Sequence, residues 1–137
     1  PSTASTVVVS YPAINTLVDA LRAATRGRRT LWVAAADLAH VGPAFGDPHP
    51  LDLVMRAQLQ AADERILDAV RRGDADGFFR AVQDERDRWR VCGLAPIYLT
   101  LRMVEPATGT VVAYEHCPAD AQNGSVVTIA GALLAAR

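Results

Sequence analysis

The sequence predicts an α/β fold: a small, mostly parallel sheet with helices packed on it. Two continuous apolar runs, at about 5–11 and at Thr30–Ala36, are rich in β-branched residues and read as buried strands. Between them Leu17, Val18, Leu21 and Ala24 share one helical face, with Asn15 as the cap and Gly27 as the stop. Strand, helix and strand with short links give parallel pairing by a right-handed crossover.

The remaining elements follow in order. Gly42–Pro50 carries three prolines and two glycines and reads as a shaped surface loop. Asp52 opens a long helix to about Arg72, with Leu51, Met55, Leu59, Ala62, Ile66 and Val70 as its apolar stripe. Asp52/Arg56 and Asp68/Arg72 are spaced for ion pairs on its wet side. Gly73 stops this helix, and Asp74 or Asp76 caps another running through about Trp89, with Phe78, Phe79 and Val82 inside. Asp84–Arg90 reads as its solvated end. Cys92-Gly93 is a turn. Ala95–Val104 is a helix with Pro96 in its first turn, although Ile97–Leu101 also fits a strand. Pro106–Gly109 is a turn, Thr110–His116 a strand, Pro118–Gly124 a loop and Ser125–Leu134 a final strand.

Composition narrows the classes. At 137 residues and 50% apolar, the chain reads as one domain with length enough for a core. A net charge of −1 argues against a nucleic-acid-binding face. No apolar run approaches the roughly 20 residues of a membrane span. Pro1–Thr6 lacks the basic start of a signal peptide, so Cys92 and Cys117 are expected as free thiols in the cytoplasm.

The segment Asp37-Leu38-Ala39-His40-Val41-Gly42-Pro43 concentrates the chemistry. An acid and an imidazole three residues apart stand at the end of an expected strand, where α/β proteins collect ligands. A carboxylate there can orient the imidazole or share a metal with it. Cys92, before Gly93 in an apolar setting, reads from composition alone as a buried, inert thiol. His49 and His116 read as structural. Gly42–Gly46 matches no phosphate loop, and Ser10 and Ser125 have no nucleophile-elbow context.

Three motifs together carry a resemblance: Asp37–Gly46; Val91-Cys92-Gly93-Leu94-Ala95-Pro96-Ile97-Tyr98; and Tyr114 followed by Gly124-Ser125-Val126-Val127 and Ala130-Gly131-Ala132-Leu133. In order and spacing the chain resembles the C-terminal half of the Memo-like family, whose bacterial members are called AmmeMemoRadiSam system protein B. The resemblance implies a fold related to class III extradiol dioxygenases and a partial metal-dependent redox pocket. It assigns the family's pocket histidine to His40, its acid to Asp37 and its pocket cysteine to Cys92, with His40 and Cys92 as metal ligands. It implies iron, copper or zinc as the metal. The family's further pocket histidines lie in an N-terminal half that nothing here matches. The resemblance therefore implies completion by a homodimer partner or by a missing N-terminal segment. The rival reading is a non-enzymatic binding or interaction module with a vestigial pocket.

Overall fold

A computed structural model describes residues 11–137, so the strand expected at about 5–11 lies outside the described residues apart from Tyr11. The chain divides into two compact units, the first ending at Leu31 and the second spanning Trp32–Arg137. In the first, helix α1 runs Pro12–Thr25. It starts earlier than Asn15 because Pro12 occupies the first turn, where a missing N–H is harmless.

The second unit contains β1 (His40–Val41), a 3₁₀ turn (Pro43–Phe45), α2 (Leu53–Arg72), α3 (Ala75–Asp84), α4 (Leu94–Val104), β2 (Ala107–Pro118) and β3 (Val126–Ala136). Its sheet has the order β1-β3-β2, and both pairings are antiparallel. The fold is α/β as expected, but the mostly parallel sheet is corrected. Residues 119–125 link β2 to β3, too short for the crossover that parallel strands need. The expected strand Thr30–Ala36 forms no ladder among the described residues. Its Leu31 and Val33 are 85% and 72% exposed, so an apolar run here is not a buried one.

Helix α2 follows its predicted stripe. Leu59, Ala62, Ile66 and Val70 are all buried. Asp52 caps it by accepting from the Met55 N–H at 2.7 Å. That cap occupies Asp52, and Arg56 reaches instead to the Asn123 carbonyl; the Asp68–Arg72 pair forms as expected, at 2.8 Å. Asp74, not Asp76, caps α3 through the Gly77 N–H. The α3 helix stops at Asp84 rather than at Trp89. Arg86, Asp87 and Arg90 adopt left-handed backbone conformations, and Trp89 turns into the core at 4% exposure. The ambiguous segment after Gly93 is helical. The α2 helix packs on α3 and on β2, and α3 on α4. No described helix is long and apolar enough to cross a membrane.

Candidate metal centre

Residues 37–41 run between two supports. On one side Leu38 N donates to Thr128 O at 2.9 Å, and Thr128 N to Ala39 O at 3.0 Å. His40 and Val41 then pair with Val127 and Val126 of β3. On the other side His40 N donates to Trp89 O at 2.8 Å, and Cys92 N to Leu38 O at 3.3 Å. The 86–92 turn thus lies along the site segment and delivers Cys92 to it. Its left-handed residues Arg86, Asp87 and Arg90 each cost about 1–2 kcal/mol. Such local strain tends to collect at functional sites.

Asp37, His40 and Cys92 consequently meet. Each offers one donor atom, and the three atoms lie within 4.8 Å of one another. His40 Nε2 stands 3.9 Å from Asp37 Oδ2, and the Cys92 thiol is 3.6 Å from the Asp37 carbonyl oxygen. Phe45 meets the His40 ring edge-on at 5.1 Å. Cys92 is exposed, which corrects the composition-based expectation of a buried, inert thiol. It is exposed because Gly93, behind it, takes the buried position against Ala36 and Asp37. Cys92 and Cys117 are both free, as expected.

The donor set fits a small transition-metal ion. Carboxylate, imidazole and thiolate together suit iron, copper or zinc. Bonds of about 2.0–2.3 Å place two donors on one ion no more than about 4.4 Å apart. The present spacing needs only a small inward rotation, and the Asp37 side chain is 51% exposed and free to make it. Three protein donors leave further coordination positions open, as in catalytic rather than structural sites.

Gly42 of the site loop is explained by close approach. A Cβ on Gly42 would stand 2.5 Å from Ser125 Cα, and its φ of +113° is one that other residues rarely adopt. The site loop is clamped further by Arg90, whose Nε donates to the His40 carbonyl at 3.0 Å and whose guanidinium pairs with Asp47. Asp47 in turn accepts from the Gly42 N–H at 2.7 Å. The Arg90 hydrogen bond holds the Asp47 carboxyl below the usual carboxylate range, against the opposing pull of burial.

His49 is an exposed loop residue, outside the site. His116 belongs to a polar group that the sequence reading did not assemble. Tyr114 donates to Asp63 Oδ2 at 2.8 Å, and His116 Nε2 lies 2.8 Å from the same hydroxyl. Asp63 is fully buried and its Oδ1 has no hydrogen-bond partner. Burial raises its carboxyl above the ordinary range, while the Thr128 and Tyr114 hydroxyls and the nearby His116 oppose that rise. Burial, followed by the Asp63 hydrogen bond, raises the Tyr114 phenol well beyond its ordinary value. Desolvation lowers His116. A signal for Asp63 was present: it is an acid one residue after Ala62 and three before Ile66, on the apolar stripe of α2.

The family model described as Memo-like protein matches residues 6–133. No curated protein matches the chain.

Proposed function

The chain belongs to the Memo-like protein family, related to class III extradiol dioxygenases, and from that premise we propose that it carries a partial metal-dependent redox or dioxygenase-like pocket. The observation that supports this reading is the meeting of three unlike donor atoms within 4.8 Å, from residues 55 positions apart in the chain. In this reading His40 and Cys92 are the metal ligands and Asp37 orients the imidazole or completes the set. Iron, copper or zinc would supply Lewis-acid or redox chemistry when bound.

The open face of the donor set is where a small molecule or a second chain would approach. A homodimer partner or an N-terminal segment completes the pocket in this reading. The setting is a reducing one, the cytoplasm, where exposed Cys92 stays a thiol.

A second reading, a non-enzymatic binding module with a vestigial pocket, is favoured by one feature of His40. Metal-bound histidines usually donate their other ring N–H to an acceptor. The His40 Nδ1 is buried without a hydrogen-bond partner among the described residues.

Elemental analysis of protein purified without chelator separates the two. Stoichiometric iron, copper or zinc, lost in His40→Ala and in Cys92→Ser, supports the metal pocket. Metal-free protein that also fails to take up any of the three on titration leaves the binding module.

A further inference from the structure

The polar group behind the site ends on the site itself. Thr128 on β3 is fully buried and stands opposite His116 in the β2–β3 register. Its hydroxyl oxygen accepts from the Ala39 N–H at 2.9 Å. Its backbone binds Leu38 N and Ala39 O, the two residues between Asp37 and His40. Its cross-strand neighbour His116 meets the Tyr114 hydroxyl, which donates to the Asp63 carboxyl. The Tyr114 proton is directed at the carboxylate, so the His116 Nε2–H donates to the phenol oxygen. The polar cluster of His116, Tyr114 and Asp63 therefore borders Thr128, which in turn binds the peptide between two of the donors.

Packing alone does not call for these residue types. Valine has the same shape as threonine and a high strand propensity, and it would fill a fully buried strand position without a hydroxyl needing partners. An acid on a buried helix face is costly without a compensating role. What the hydroxyl supplies is a partner for the Ala39 N–H, at a point where the strand pairing is irregular and the site segment bends toward the 86–92 turn.

We propose that Thr128, set opposite His116 in the strand register, is a positioning residue for the donor site. It fixes the Leu38–Ala39 peptides and thereby the separation of the Asp37 carboxylate and the His40 imidazole. This inference rests on the metal-pocket reading above.

The test uses zinc and cobalt(II) ions as probes on the full chain. Zinc affinity is measured by chelator competition, and donor geometry by the visible spectrum of the cobalt form. Thr128→Val is expected to weaken zinc binding about 10–100-fold, the range for residues that orient metal ligands, and to alter the cobalt spectrum. Thr128→Ser, which keeps the hydroxyl, is expected to restore both. If Thr128→Val does not fold, Thr128→Ala set against Thr128→Ser puts the same question, because the two differ only in the hydroxyl, and the same loss is expected in Thr128→Ala. Native zinc affinity and an unchanged cobalt spectrum in the variant overturn the inference while leaving the metal pocket standing. Equal losses in Thr128→Val and Thr128→Ser overturn it too, because side-chain volume and not the hydroxyl would then be responsible. A wild-type chain that binds neither ion overturns the metal-pocket reading and this one with it.

Discussion

Gly93 lies so close to Asp37 that a Cβ on it would run into the Asp37 carbonyl oxygen, 2.7 Å from Ile97 Cδ1 and 3.1 Å from Ala36 Cβ. The contact sets how near the Cys92 thiol comes to the site segment. Backbone and a packed helix residue close it in, so little can yield. Gly93→Ala is expected to destabilise the protein by about 1–3 kcal/mol, as overpacking does, and to weaken metal binding by moving Cys92 away. Urea unfolding measures the first effect and zinc competition the second. A variant of native stability and native affinity would show that the close approach has no role in forming the site.

Cys92 is exposed beside His40, whereas Cys117 is only partly exposed on β2. A thiol reagent under native conditions is therefore expected to label Cys92 first, with Cys117 slower. The fast phase is expected to vanish in Cys92→Ser, to change in rate in His40→Ala and to be suppressed by zinc. Labelling of Cys92 only after denaturation would contradict the accessible-thiol geometry.

Sequence legibility followed local physics. The stripe of α2 repeats over many turns, so Leu59, Ala62, Ile66 and Val70 were readable as core before any coordinates. The caps Asp52 and Asp74 were readable because a cap is a local hydrogen bond. The meeting of Cys92 with Asp37 and His40 was not contained in any local pattern. Only the family resemblance brought these residues together, and the structure places their donors within 4.8 Å. The sheet direction was misread because Thr30–Ala36 is apolar like a strand yet pairs with none among the described residues. The end of α3 was missed because the left-handed turn at Arg86, Asp87 and Arg90 contains no glycine to announce it.

Buried Asp63 predicts a distinct pH dependence. Its folded carboxyl is raised above the ordinary value by burial, so the folded state holds that proton more readily than the unfolded state. Its contribution is most favourable below the ordinary carboxylate value, about 3.9. That contribution is lost as pH rises through the raised folded value. Asp63→Asn has no such proton. Its stability relative to wild type is therefore expected to improve as pH rises from about 4 through that raised folded value. His116 has the opposite sign: its lowered value makes stability fall as pH drops below the ordinary imidazole value. Asp63 is one of the charges acting on His116, and losing it in Asp63→Asn lowers the imidazole further, which shifts the difference in the same direction. Urea unfolding across this range checks the prediction, and a pH-independent difference contradicts it.

Arg90 ties the site loop to the turn through the His40 carbonyl and Asp47. Its side chain is 41% exposed, so solvent screens the pairing, and Arg90→Met is expected to cost only about 1 kcal/mol. The Asp47 carboxyl, held low by Arg90, contributes stability above the ordinary carboxylate value and loses it as pH falls through the lowered folded value. In Arg90→Met the acid end of the stability profile is expected to flatten. An unchanged profile would mean that Asp47 is set by the Gly42 N–H instead.

The outer face of the β2–β3 ribbon bears on assembly. Leu133 is 68% exposed, Val112 62% and Ile129 37%. Ile129, Gly131 and Leu133 alternate along β3, and the Val112 side chain lies over Gly131, so these apolar groups share one face. Among the described residues strand β2 is also at an edge of the sheet, where unpaired backbone groups invite a neighbour. A contiguous exposed apolar face of this kind usually marks an interface. If the pocket is completed by a second copy, the chain is expected to be a dimer by light scattering at micromolar concentration. Leu133→Asp, which places a charge in that face, is expected to give monomer and to leave α2 and its core intact by circular dichroism. Loss of metal binding together with the dimer would tie the face to the pocket. A native chain that scatters as a monomer across the accessible range removes the homodimer as the source of the missing ligands.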